Sequence, residues 1–251
     1  MRRSWSRDDP AEVGLPCVCW CGHPYFRDRG YIAQVIRARV PRPKPRLRGV
    51  LHEWAFYVSV PLGVTIGLVA DTSTAKVAAA VFAAGVVCMF GVSALYHRVS
   101  WSRPWQRRLR RIDHSGIYVM IAGSYTPFGL LVLAGDWRIT VLAIVWAGAA
   151  AAIVARLVWA RPPRWLPMLI GGALGWVGVV AFPQLLTKTG VLASLLVLAS
   201  GLCYTVGGLV YTRQRPDPFP AVFGFHEVFH AFVVAAVALQ YAVVAVFFIP
   251  T

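Results

Sequence analysis

Three stretches of this chain carry residue types that do chemistry: Ser93-Ala94-Leu95-Tyr96-His97, Asp113-His114 and His226-Glu227-Val228-Phe229-His230. Imidazole nitrogens with an open coordination position are what a catalytic zinc ion takes, and a nearby carboxylate and hydroxyl can handle its protons. Five of the six histidines, His52, His97, His114, His226 and His230, sit where apolar segments meet more basic loops. From residue 49 onward the chain is otherwise overwhelmingly apolar. An ionisable group inside a membrane segment costs about 2.5–3.5 kcal/mol on insertion scales, so it marks function by default. These residues predict a metal site in a membrane protein.

The elements that must position them follow from hydropathy. The 251 residues are 58% hydrophobic and only 14% charged, against roughly a quarter charged in soluble domains. Apolar stretches run over 51–70, 75–96, 114–134, 139–160, 166–186, 190–211 and 221–249. Each is near the ~20 residues that cross a hydrocarbon core as a helix. The expected fold is all-α, a seven-transmembrane helical bundle. Alternating the loops places 22 of the 25 Lys and Arg on one side, leaving Lys76, Arg138 and Lys188 opposite. By the positive-inside rule the N-terminus is cytoplasmic and, after seven crossings, the C-terminus is outside. The net charge of +15 is therefore topological, and nucleic acid is not an expected partner. No apolar h-region occupies the first 30 residues, so the first span is expected to act as an uncleaved insertion signal.

With that topology the chemical residues agree in depth. His97 ends span two, Asp113 and His114 open span three, and His226 and His230 open span seven, all in the cytoplasmic half. His226 and His230 are four residues apart, on one helical face a turn from each other. His97 from a facing helix can complete three nitrogens. Three protein ligands with an open fourth position is the catalytic pattern for zinc, where a water falls to a pKa of roughly 7. Asp113 could accept that water's proton or orient it, and Ser93, one turn before His97, faces the same way as a donor. Interfacial histidines that merely snorkel are the bland alternative. Agreement among four residues from three spans argues against it.

His226-Glu227-Val228-Phe229-His230 also matches H-E-x-x-H, the zinc-protease signature with Glu as general base. That reading leaves His97 and Ser93 without roles and explains less. Residues 1–48 form a different region, polar and Arg-rich, expected to be a disordered cytoplasmic tail ending in the Pro-rich linker Val40–Arg46, with the membrane domain at 49–251. Cys17-Val18-Cys19-Trp20-Cys21-Gly22-His23 is spaced more tightly than a C-x2-C zinc knuckle. Trp101, Trp105, Leu109 and Ile112 fall at helical spacing among arginines, so Arg98–Ile112 reads as an amphipathic helix in the headgroup layer. Pro127 should bend the third span.

Arg48-Gly49-Val50-Leu51-His52-Glu53, Ser93-x3-His97, Asp113-His114-Ser115-Gly116-Ile117, Gly123-Ser124-Tyr125-Thr126-Pro127-Phe128 and Phe223–His230 together resemble the hemolysin III family. That is the bacterial branch of the progestin and adipoQ receptor superfamily. The resemblance covers about 46–250. It implies an N-inside seven-helix bundle with zinc near the cytoplasmic face, held by His97, His226 and His230. It also implies that Asp113 touches the zinc-bound water and that Ser93 is the accompanying hydroxyl. The superfamily is similar to alkaline ceramidases, which share the Ser, Asp and three-His set and hydrolyse lipid amides. Within the resemblance, Glu227 inside the H-x3-H pair is no mark of a protease. His52 and Glu53 either line the site or pack at the interface.

The expected protein is a multi-pass protein of the cell membrane, a zinc-dependent hydrolase of a lipid-like amide or ester whose partners are membrane lipids. A non-enzymatic membrane-homeostasis or receptor-like protein with structural zinc is the second expectation. Pore-forming cytolysis, behind the family name, ranks lowest, because spans four to six lack the polar stripes a pore needs. The substrate, turnover and oligomeric state have no signature in the chain.

Overall fold

The computed structural model describes residues 44–159, 163 and 165–249. Among the described residues every regular element is helical, and the one bridge, Phe219 to Phe223, closes a turn. Helix α1 spans Val50–Val69, α2 Ser73–Arg98, α3 Arg103–Pro127, α4 Asp136–Val158, α5 Trp165–Trp176, α6 Phe182–Arg213 and α7 Phe225–Val243. Single π-helical turns extend α3 over Phe128–Val132 and α7 over Val244–Phe248, and a 3-10 turn, Val177–Ala181, joins α5 to α6.

Among the described residues, five stretches are long and apolar enough to cross a membrane by length and composition. They are Ser73–Arg98, Arg103–Val132, Asp136–Val158, Trp165–Arg213 and Phe225–Phe248. Large apolar side chains point outward along the helices: Leu68 is 79% exposed, Val158 77% and Ile139 70%. Apolar surface of that extent is stable only against lipid or a partner. The fourth stretch is 49 residues long, about 70 Å if it were one straight helix, more than twice the hydrocarbon core. Its helical geometry breaks at Gly190, whose φ of 81° and ψ of 178° belong to a region open essentially to glycine alone.

Two features differ from the sequence expectation. The arginine-rich stretch after His97 is not a separate in-plane helix. From Arg103 onward it is continuous with α3, with Pro104 in the first turn, where a missing N–H costs nothing. Pro127 closes the α-helical part of α3, and the chain continues through the π turn rather than stopping. Lys44–Gly49, ahead of α1, belong to the same compact unit as the helices. The Cys17–His23 cluster and most of the linker lie outside the described residues.

Packing brings the chemical ends together. Helix α2 packs along both α1 and α3, and α6 along α7. Where α2 crosses α3, Gly85 and Gly123 face each other, so that a Cβ on Gly85 would lie 3.6 Å from the Gly123 Cα. Small residues at such a crossing let two membrane helices approach backbone to backbone. Asp113, ten residues into α3, meets His97 near the end of α2, with Oδ2 3.9 Å from Nε2.

Candidate metal centre

His97 lies one residue from the end of α2, and His226 and His230 occupy the first two turns of α7. All three are buried, and one nitrogen from each lies within 4.8 Å of the others. The Nε2 atoms of His97 and His226 are 3.1 Å apart across 129 residues of sequence. Two imidazole nitrogens bound to one tetrahedral zinc at 2.0–2.1 Å stand about 3.3 Å apart. The pair is therefore at ligand spacing. Nδ1 of His230 is buried without a hydrogen-bond partner, an arrangement that costs stability unless something else satisfies it. Donor set, spacing and orphaned nitrogen all fit a metal ion of the zinc type.

Asp113 places Oδ2 3.9 Å from Nε2 of His97 and 3.5 Å from Nδ1 of His114. The first separation exceeds a direct hydrogen bond and lies within reach of one bridging water. Ser93 is buried one turn before His97, and its hydroxyl pairs with Nδ1 of His52 at 2.8 Å. Every predicted site residue, His97, His226, His230, Asp113 and Ser93, is therefore brought to one place.

Of the two residues left open by the sequence, His52 lines the centre and Glu53 does not. The His52 ring stacks on His230, whereas Glu53 forms an ion pair with Arg98 at 2.6 Å on the more exposed side of α1. Glu227, the acid of the H-E-x-x-H pattern, is only 1% exposed. One of its oxygens accepts the Gly224 N–H at 2.8 Å, and the other lies 2.5 Å from Nε of Arg48. It caps the helix that carries two of the imidazoles. Tyr211, near the end of α6, has no sequence signal beyond its polarity in an apolar run. Its ring contacts His226 and Phe229, and its hydroxyl reaches Nε2 of His114 at 3.3 Å.

A groove of about 530 Å³ runs between α1 and α2, past Phe56, Cys88 and Leu95. None of the residues gathered at the metal centre lines it.

Residues 41–241 match the family model described as Haemolysin-III related. The chain belongs to that family. It is 30% identical over 180 residues to Hemolysin-3 of Bacillus cereus, covering 72% of this chain and 79% of that protein. It is 30% identical over 161 residues to the Hemolysin-3 homolog of Bacillus subtilis (strain 168), covering 64% and 72% respectively. A more distant relative is the human monocyte to macrophage differentiation factor, 23% identical over 175 residues, with 68% of this chain and 70% of that protein covered. The chain is thus a haemolysin III-related, multi-pass integral membrane protein.

Proposed function

We propose that this haemolysin III-related protein is a zinc-dependent hydrolase of a lipid-like amide or ester. Its centre is formed by His97, His226 and His230 near the cytoplasmic face. The observation that carries this reading is the gathering of three buried imidazoles beside a carboxylate, Oδ2 of Asp113 standing 3.9 Å from Nε2 of His97. A metal with three protein ligands keeps a position for substrate. The reading includes seven crossings, N-terminus in and C-terminus out, with α1 as the first and a reversal at Gly190 dividing the 49-residue stretch.

When bound, zinc supplies Lewis-acid polarisation of a carbonyl and an activated nucleophile at neutral pH. The chain's own residues supply the rest. Asp113 takes a proton at Oδ2 and returns it to the leaving group. The Ser93 hydroxyl, held by Nδ1 of His52, orients the substrate carbonyl. Burial of these groups at bilayer depth selects a substrate that arrives through lipid.

One observation favours a second reading, structural zinc in a non-enzymatic protein: the same Asp113 carboxylate is near enough to close the fourth position after a small rotation. Turnover decides between them. Purified, zinc-replete protein is expected to release the fluorophore from short-chain acyl amides and to do so only when zinc is retained. Bound zinc without turnover on acyl amides or esters transfers the assignment to structural zinc.

A further inference from the structure

Helices α2 and α7 carry all three imidazoles, yet they are not among the closely packed helix pairs. Something else must set the spacing of their ends. Lys44–Gly49, ahead of α1, touch both. Two tight turns fold this segment, with Arg48 N–H bonded to the Pro45 carbonyl and Val50 N–H to the Leu47 carbonyl, each at 3.1 Å.

On the α7 side, the N–H groups of Arg46 and Leu47 donate to the carbonyls of Ala221 and Val222 at 3.0 Å, in the loop leading into the helix. Pro45 is buried against Gly224. Nε of Arg48 stands 2.5 Å from the Glu227 carboxylate, which itself holds the Gly224 N–H. Glu227 lies between the two ligands of α7 in sequence, so this ion pair acts on the turn that presents them.

On the α2 side, the Lys44 ammonium donates to the carbonyl of His97 itself. Its pKa is lowered by partial burial and by the neighbouring Arg48 and Arg98 charges. Gly49, with φ of +84°, comes so close that a Cβ there would stand 2.5 Å from the His97 Cβ.

We propose that Lys44–Gly49 is a clasp that holds the ends of α2 and α7 at ligand spacing, with Arg48 as its positioning residue. This rests on the metal-centre reading above. Glu227 is almost wholly buried, so removing Arg48 leaves a buried carboxylate uncompensated and frees the first turn of α7. Residues that orient metal ligands from behind typically change affinity by about 10–100-fold when removed.

The test compares Arg48→Ala, Arg48→Lys and the exposed control Arg46→Ala in the full chain. Arg48→Gln stands in if Arg48→Ala does not fold. Zinc affinity is read by chelator competition, and amide hydrogen exchange is read in the metal-free protein. Arg48→Ala is expected to weaken zinc binding at least tenfold and to speed exchange at residues 95–98 and 221–230. Arg48→Lys should recover part of both, and Arg46→Ala should change neither. Parent-like zinc affinity in Arg48→Ala, with zinc bound by the parent, overturns the clasp and leaves the metal reading standing. If the parent takes up no zinc, the metal reading falls. The exchange arm then decides alone, and unchanged exchange in Arg48→Ala overturns the clasp as well.

Discussion

The imidazole of His52 lies flat on that of His230, with ring centroids 3.6 Å apart and planes within 9° of parallel. The His52 ring also makes a T-shaped contact with Phe90, centroids 5.0 Å apart, and its Nδ1 pairs with Ser93. α1 thus fixes the plane of an imidazole on α7 while tying down a hydroxyl on α2.

That stack predicts a graded loss. His52→Ala should weaken zinc binding by about tenfold, the lower part of the range for residues that orient ligands. His52→Phe, which keeps a flat ring against His230, should weaken it less. Chelator competition on the purified variants measures both. Equal losses would mean that the bond to Ser93, not the stacked ring, is what matters.

Single alanine variants of His97, His226 and His230 should each lose stoichiometric zinc, since two remaining imidazoles no longer match a three-ligand site. Elemental analysis of protein purified without added chelator gives the answer. Zinc retained at one equivalent in all three would remove the assignment of these ligands.

The grouping of the three imidazoles was legible because two periodicities converge on it. Span hydropathy places His97 and His226 at the same depth, and the four-residue interval puts His230 on the same face as His226. The clasp had no such signal. It works through backbone hydrogen bonds of an irregular segment, from Arg46 and Leu47 to Ala221 and Val222, and the Pro and Arg there look like a linker. The arginine-rich stretch was legible as a helix but not as part of α3, because the change from charged to apolar sequence near Asp113 looked like a boundary although nothing there breaks helical geometry. Tyr211 and His52 contribute ring contacts across the bundle, and such contacts leave no mark on spacing along the chain.

Gly49 and Gly67 should respond oppositely to alanine. At Gly49 a side chain meets both a left-handed backbone, costing about 1–2 kcal/mol, and the Cβ of His97. At Gly67, inside α1, a Cβ meets nothing within 4 Å, and the better helix former should stabilise by about 0.5–1 kcal/mol. Thermal unfolding in one detergent should show a lower Tm for Gly49→Ala and an equal or higher Tm for Gly67→Ala.

Two truncations separate tail from clasp. Removing residues 1–43 should leave folding and zinc content unchanged, because the tail sequence lacks an apolar face to pack. Removing residues 1–49 takes away two backbone hydrogen bonds to the 221–222 loop and the partner of Glu227. It should lower both Tm and zinc content. Size-exclusion profiles with metal analysis test the pair, and loss of zinc in the shorter truncation would implicate the Cys17–His23 cluster.

Asp113→Asn should keep zinc and abolish hydrolysis, while Glu227→Gln should have the smaller effect on turnover. Asp113 comes from α3, a different helix from the imidazoles of α7, and its Oδ2 stands 3.9 Å from Nε2 of His97. Asparagine preserves shape but cannot accept the proton. Both oxygens of Glu227 are engaged, one by the Gly224 N–H and one by Arg48, so it is ill placed as a base. Glutamine still offers an oxygen to the cap, which preserves the first turn of α7 at the expense of the ion pair. A protease of the H-E-x-x-H type requires the reverse ranking, since its glutamate is the general base. Turnover of fluorescent acyl amides and of a peptide library by both variants distinguishes the two. Peptide cleavage that depends on Glu227 and survives Asp113→Asn would overturn the lipid hydrolase reading in favour of proteolysis.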